Sequence, residues 1–182
     1  VMGRNCGDIA LHTAFACGAE MVMVPEIPWS IEEVAERVKW GVLRGKTSMI
    51  IVFAEGAMQS QTSDIAAICA EHDKLNHIST EHLTSSQIAE IIEVLSGHET
   101  RATVLGYIQR GGSPSGRDRI LAGRLGSRAV ELLRDDQGGL AVGERGNRII
   151  EVPLSDVQVG EHASDTEIAD LINVMAVMTK YK

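Results

Sequence analysis

Short apolar runs alternate along this chain with longer stretches in which apolar residues return every three or four positions. Val1 and Met2, followed by Gly3 and Arg4, read as the end of a strand entering a loop. Asp8 is placed to cap a helix over 9–17, and Gly18 to stop it. The run 21–24, closed by Pro25, is too short for a helix and reads as a buried strand. Ser30-Ile31-Glu32-Glu33 has the spacing of a capping box, and Ile31, Val34, Val38 and Val42 share one helical face until Gly45. Residues 49–54 form a second buried strand and 64–71 a short helix. Thr84-Ser85-Ser86-Gln87 caps a further helix with Ile88, Ile91, Ile92 and Leu95 on its apolar face and Gly97 as its stop. Residues 103–105 supply a third strand.

Strands alternating with helices of this length predict an α/β fold, a parallel-sheet layer with helices on both faces. Beyond Gly111-Gly112-Ser113-Pro114 the pattern changes. A long helix is expected over 117–133, with Ile120, Leu121, Leu125, Ala129, Leu132 and Leu133 on or near its apolar side. Residues 140–143 and 148–152 flank Gly146-Asn147, the signature of a β-hairpin. A last helix is expected near 165–175. No internal repeat or low-complexity segment interrupts this order.

Composition narrows the class. With 182 residues, 44% of them apolar, the chain has material for a real core. Mean hydropathy is +0.01, and no apolar run approaches the roughly 20 residues of a membrane-spanning helix. The net charge of −8 argues against a general nucleic-acid partner. Three cysteines, Cys6, Cys17 and Cys69, suit reduced thiols in a cytoplasmic setting better than a disulfide framework. A first residue that is valine, at what reads as a strand end, suggests a chain trimmed at its start.

In parallel sheets ligands sit beyond the carboxyl ends of strands. The loop residues there are Gly3 and Arg4, Pro25 and Glu26, Glu55 and Gly56, and the stretch 106–110. Glu55 ends an apolar run and precedes a glycine, which suits a polar contact; the plainer reading is a solvated strand-end carboxylate. Arg4 follows a glycine, and Arg110 precedes Gly111-Gly112, whose open amides favour an anion such as phosphate. Arg101, Arg110, Arg117, Arg119, Arg124 and Arg128 crowd one stretch, and for most of them a solvated helix face with ion pairs is the preferred reading. No Walker loop, Gly-x-Gly-x-x-Gly or His-Glu-x-x-His motif marks a nucleotide or metal site. His72, His77 and His82, five apart, do not align on a helix and read as surface histidines.

The string Arg101-Ala-Thr-Val-Leu-Gly-Tyr-Ile-Gln-Arg-Gly-Gly-Ser-Pro114, with Asp118-Arg119-Ile120 downstream, resembles the signature of the bacterial-type ATP-dependent 6-phosphofructokinase family. Met2-Gly3-Arg4, Asn5-Cys6-Gly7-Asp8, Val24-Pro25-Glu26 and Glu55 fall in the family's order. The resemblance covers nearly the whole chain. It implies phosphoryl transfer from ATP, with Mg²⁺, to the 1-hydroxyl of fructose 6-phosphate.

By the same resemblance Met2, Gly3 and Arg4 form a substrate loop whose arginine neutralises charge on the transferring group and is the catalytic residue of this stretch. Glu55 binds sugar hydroxyls. Tyr107, Ile108, Gln109 and Arg110 form a second substrate segment, and Arg101 reaches the phosphate bound by a neighbouring subunit. Gly18, Ala19, Glu20, Arg44 and Lys46 match part of an effector site for a nucleoside diphosphate or phosphoenolpyruvate; the plain alternative for Arg44 and Lys46 is interaction with a helix carboxyl end. Tyr107 stands where the family often has histidine, and the stretch 56–97 is longer than in short bacterial members, a polar insertion expected at the surface or at an oligomer contact.

The resemblance divides the chain into a sugar-phosphate domain over 1–110, part of a nucleotide-binding domain over 111–160, and a C-terminal helix over 161–182 returning to the first. The family's glycine-rich ATP loop and catalytic aspartate have no counterpart in this sequence. The chain by itself is therefore expected to be inactive and to hold neither ATP nor Mg²⁺ productively, its parent being a cytoplasmic homotetramer. Two alternatives remain open: pyrophosphate as the donor, and a non-catalytic sugar-phosphate or effector-binding module.

Overall fold

The computed structural model describes residues 1–157 and 166–178, the latter without the side chains of 166 and 175–178. Among the described residues six α-helices and four strands run in the order α1 (Asp8–Cys17), β1 (Met21–Met23), α2 (Ile31–Leu43), β2 (Ile51–Phe53), α3 (Ile65–Glu71), α4 (Ser85–Ser96), α5 (Gly116–Arg134), β3 (Leu140–Arg145), β4 (Arg148–Pro153) and α6 (Thr166–Met178). They divide into two compact units, Val1–Gln109 with α6, and the stretch from Arg110 that holds α5, β3 and β4.

In the first unit β1 and β2 pair in parallel, with Met21 opposite Ile51 and Met23 opposite Phe53. Met21, Met23 and Val52 are buried, and Val22, Ile51 and Phe53 pack against the same core cluster. Side chains from both faces of the strands are thus covered, as in a parallel layer between helices. α1 lies against both strands and α6 against β1 and α1, while α2 packs on α4. Leu11, Ile31, Leu75, Ile91 and Ile172 are fully buried. Among the described residues no helix is long and apolar enough to cross a membrane.

The caps follow from residue chemistry. Ser30, Asp64 and Thr84 each accept a backbone N–H from the third residue on, and Thr84 completes a reciprocal box with Gln87. Gly18 and Gly97 end α1 and α4 in the left-handed conformation that a side chain would strain. Asp8 is the first residue of α1 rather than its cap, with Gly7 at the capping position. There its carboxylate faces the positive end of the helix.

Two further expectations are corrected. Residues 103–105 form no strand. Val104 is 74% exposed, and no neighbouring strand is paired with it among the described residues; a β conformation without a partner ladder leaves its backbone to water. The stretch 56–97 is not a surface addition either. It supplies Ala57, Ile65, Ile68, Cys69, Leu75, Ile78, Ile88, Ile91 and Ile92 to the core. Polar residues dominate its loops, while the helical faces of α3 and α4 bury the apolar ones. His77 lies exposed and His72 half-buried. All three cysteines are free thiols, and burial pushes that of Cys69 up.

In the second unit α5 packs on the antiparallel β3–β4 hairpin. The turn places Gly146 at φ 56° and Asn147 at φ 63°, the paired left-handed residues of a tight hairpin. Ser115 caps α5 reciprocally with Asp118. Arg124 meets Glu144 at 3.0 Å, and Arg128 meets Glu131 at 3.0 Å and Glu151 at 2.5 Å. These two arginines staple the helix to the hairpin, the structural reading preferred from sequence. The expected last helix is α6, though the start expected at Asp165 and the 160/161 domain boundary fall outside the described residues.

Candidate functional site

Past the carboxyl end of β2 the chain turns against its own opening segment. The Ala54 N–H continues the ladder to the Met23 carbonyl at 3.0 Å. The next two amides turn to the other side, Glu55 N–H donating to the Val1 carbonyl and Gly56 N–H to the Gly3 carbonyl, each at 2.9 Å. Residues 1–3 thereby lie along the edge of β2 that β1 leaves open. This closeness depends on glycine: a Cβ at position 56 would stand 1.9 Å from the Arg4 carbonyl oxygen. Gly3 adopts φ 141°, and a Cβ there would meet the Cys6 carbonyl oxygen at 2.6 Å.

Two side-chain amides fix the loop further. Gln59 Nε2 donates to the Arg4 carbonyl at 3.1 Å. Gln109 Oε1 accepts from the Met2 N–H at 2.9 Å, and Gln109 Nε2 donates to the Gly106 carbonyl at 3.2 Å. Behind Gln59, Trp29 is buried with its indole N–H on the Ala57 carbonyl at 2.7 Å and its ring edge-on to Phe53 at 5.3 Å. Glu26 accepts the Gly7 N–H at 2.8 Å and so steadies the start of α1 beside the loop.

Met2, Gly3, Arg4, Glu55 and Gln109 are therefore drawn to one strand end, with Tyr107 and Ile108 in the same short 3₁₀ turn as Gln109. Arg4 and Glu55 are exposed, and among the described residues neither side chain has an ion-pair partner within this unit. An exposed guanidinium and carboxylate beside glycine backbone can meet a ligand's anionic and hydroxyl groups together. Arg110 ends the 3₁₀ turn but belongs to the second compact unit. Arg101 is exposed and paired with Glu99 at 2.5 Å, away from the loop's recorded bonds.

A second group sits at the opposite end of the strands. Gly18 caps α1 and Ala19 is buried. Glu20 accepts from Lys46 Nζ at 3.0 Å and from the Ile50 N–H at 2.6 Å. Both side chains of this ion pair are mostly buried, at 7% exposure for Lys46 and 13% for Glu20. Arg44 is the residue at the carboxyl cap of α2, its guanidinium 5.1 Å from the centre of the Trp40 ring. The structure brings Gly18, Ala19, Glu20 and Lys46 together and turns Arg44 onto Trp40.

Gln59 and Trp29 were not visible in the sequence as parts of this region. Their roles lie in single bonds to backbone carbonyls, which leave no mark in periodicity or spacing.

The fold is that of an α/β protein in which two loops and a strand end converge beyond the carboxyl end of a parallel pair of strands. A family model described as Phosphofructokinase matches residues 1–133. Proteins named ATP-dependent 6-phosphofructokinase from Listeria monocytogenes serotype 4b and from Alkaliphilus metalliredigens are each 39% identical over 177 residues, 97% of this chain and 48% of theirs. The chain spans about half the length of these curated relatives. Among solved structures, Pichia pastoris phosphofructokinase in the T-state is similar with a TM-score of 0.64 and 29% identity over 86% of this chain and 16% of its own. That of Saccharomyces cerevisiae gives 0.62 and 26% over 97% and 21%. The chain belongs to the phosphofructokinase family.

Proposed function

We propose that this chain carries the fructose 6-phosphate side of an ATP-dependent 6-phosphofructokinase, with the site at the carboxyl end of β2. The observation that supports it most is the hydrogen-bonded convergence of the 2–4 loop, the Glu55-Gly56 strand end and Gln109. In this reading Glu55 accepts hydrogen bonds from sugar hydroxyls, and Met2, Gly3, Tyr107, Ile108 and Arg110 line the ligand. Arg4 faces the group being transferred. Phosphoryl transfer rests on positioning and on charge stabilisation, for which a guanidinium held by fixed backbone is suited. Tyr107 donates a neutral phenolic hydrogen bond where a histidine would add charge.

ATP is the proposed donor, in keeping with the names of the relatives. Among the described residues no three His, Cys, Asp or Glu side chains are grouped to hold a metal ion. In this reading residues 1–110 are the sugar-phosphate domain and 111–160 part of the nucleotide-binding domain, and the chain by itself is inactive. Arg101 serves a neighbouring subunit of a cytoplasmic homotetramer. Gly18, Ala19, Glu20, Arg44 and Lys46 form part of an effector site for a nucleotide or phosphoenolpyruvate.

Calorimetric titration tests the substrate. Fructose 6-phosphate is expected to bind weakly and fructose at least about tenfold more weakly still, because the phosphate supplies the charged hydrogen bonds. Equal heats for the two sugars would contradict the reading.

A further inference from the structure

Gln109 turns inward directly after two side chains that face solvent. Tyr107 is 84% exposed and Ile108 77%, whereas Gln109 is half-buried. Its amide oxygen takes the Met2 N–H and its amide nitrogen gives to the Gly106 carbonyl. The partners fix the orientation of the amide, because a backbone N–H only donates and a carbonyl only accepts. One side chain therefore closes its own 3₁₀ turn and ties it to a residue 107 positions earlier in the chain.

The loop it holds is the one that carries Arg4. Beyond Met2, the Gly3 carbonyl is held by the Gly56 N–H and the Arg4 carbonyl by Gln59. We infer that Gln109 is a positioning residue, acting through the Met2 and Gly106 backbone to set the 2–4 loop against the 106–109 turn rather than by touching the ligand. The inference rests on reading this strand end as the sugar-phosphate site. Its physical content is pre-organisation: two ligand-facing segments, far apart in sequence, are fixed before binding, so binding does not bear the cost of ordering them.

Two substitutions separate positioning from contact. Gln109→Met keeps length and volume but loses both polar atoms; Gln109→Glu keeps an oxygen for the Met2 N–H and loses the donor. Hydrogen exchange at the Met2 amide, followed by NMR on the free chain, reads the clamp directly. Exchange is expected to quicken at least about fivefold in Gln109→Met and to stay near wild type in Gln109→Glu, as for loss and retention of one net hydrogen bond. Fructose 6-phosphate affinity in Gln109→Met is expected to fall about tenfold. Affinity lost with Met2 exchange unchanged would make Gln109 a ligand contact and overturn the inference; so would unchanged values of both. If the wild-type chain bound no fructose 6-phosphate, the reading of the site would fail, while the exchange rates would still decide whether the clamp exists.

Discussion

Gly56 and Arg4 are packed so closely that a single methyl group at position 56 would lie 1.9 Å from the Arg4 carbonyl oxygen. The Gly56 backbone itself is ordinary, at φ −84°, so the demand for glycine comes from the neighbouring chain and not from strain. The two backbones meet because Glu55 and Gly56 spend their amides on Val1 and Gly3.

Gly56→Ala is expected to push the 2–4 loop off the strand end. A methyl group forced against backbone costs about 1–3 kcal/mol. Urea unfolding should show that loss, and calorimetry a fall of at least about tenfold in fructose 6-phosphate affinity. A variant with wild-type stability and affinity would show that the loop is not held here.

Trp29→Phe keeps an aromatic ring facing Phe53 and removes the indole N–H that meets the Ala57 carbonyl. The expected cost is about 1 kcal/mol, the net worth of one hydrogen bond. Thermal unfolding would measure it, and Trp29→Ala should cost about 3 kcal/mol or more because it also leaves a cavity.

The Glu20–Lys46 pair lies mostly out of water. Lys46→Met leaves Glu20 charged in that setting, and Glu20→Gln leaves Lys46 so; each is expected to lose about 2–4 kcal/mol, and the double variant less than their sum. Urea unfolding of all four proteins gives the coupling. Additive losses would mean that the pair is not formed in solution.

Asp118 gives a pH dependence with a defined sign. Hydrogen bonds from the Ser115 backbone N–H and hydroxyl hold its carboxyl below the usual aspartate range. The unfolded chain takes up that proton at a higher pH than the folded one, so the α5 cap contributes its full stability above the usual aspartate pKa. That contribution is lost as pH falls through the lowered folded value. Melting followed by circular dichroism should fall more steeply into acid for wild type than for Asp118→Asn, and parallel acid limbs would contradict the cap.

The sequence exposed what local chemistry decides. Ser30 and Thr84 announced helix starts, Gly18 and Gly97 announced stops, and Gly146-Asn147 announced the hairpin, because each acts within a few residues of itself. Residues 103–105 misled for the opposite reason: β propensity was present without a partner ladder, and partners are a property of the fold. The stretch 56–97 looked peripheral because its loops are polar, while its burial depends on α4 meeting α2. Gln109 stood out only through family resemblance; its bond to Met2 spans 107 residues and has no local signature.

The most direct measurement of the central claim is NMR titration of the chain with fructose 6-phosphate. The amides of Met2, Gly3, Arg4, Glu55, Gly56, Tyr107 and Ile108 are expected to shift most, and those of Ala19, Glu20 and Lys46, at the other end of the strands, least. Shifts confined to Ala19, Glu20 and Lys46, or none at the 2–4 loop at saturation, would contradict the account.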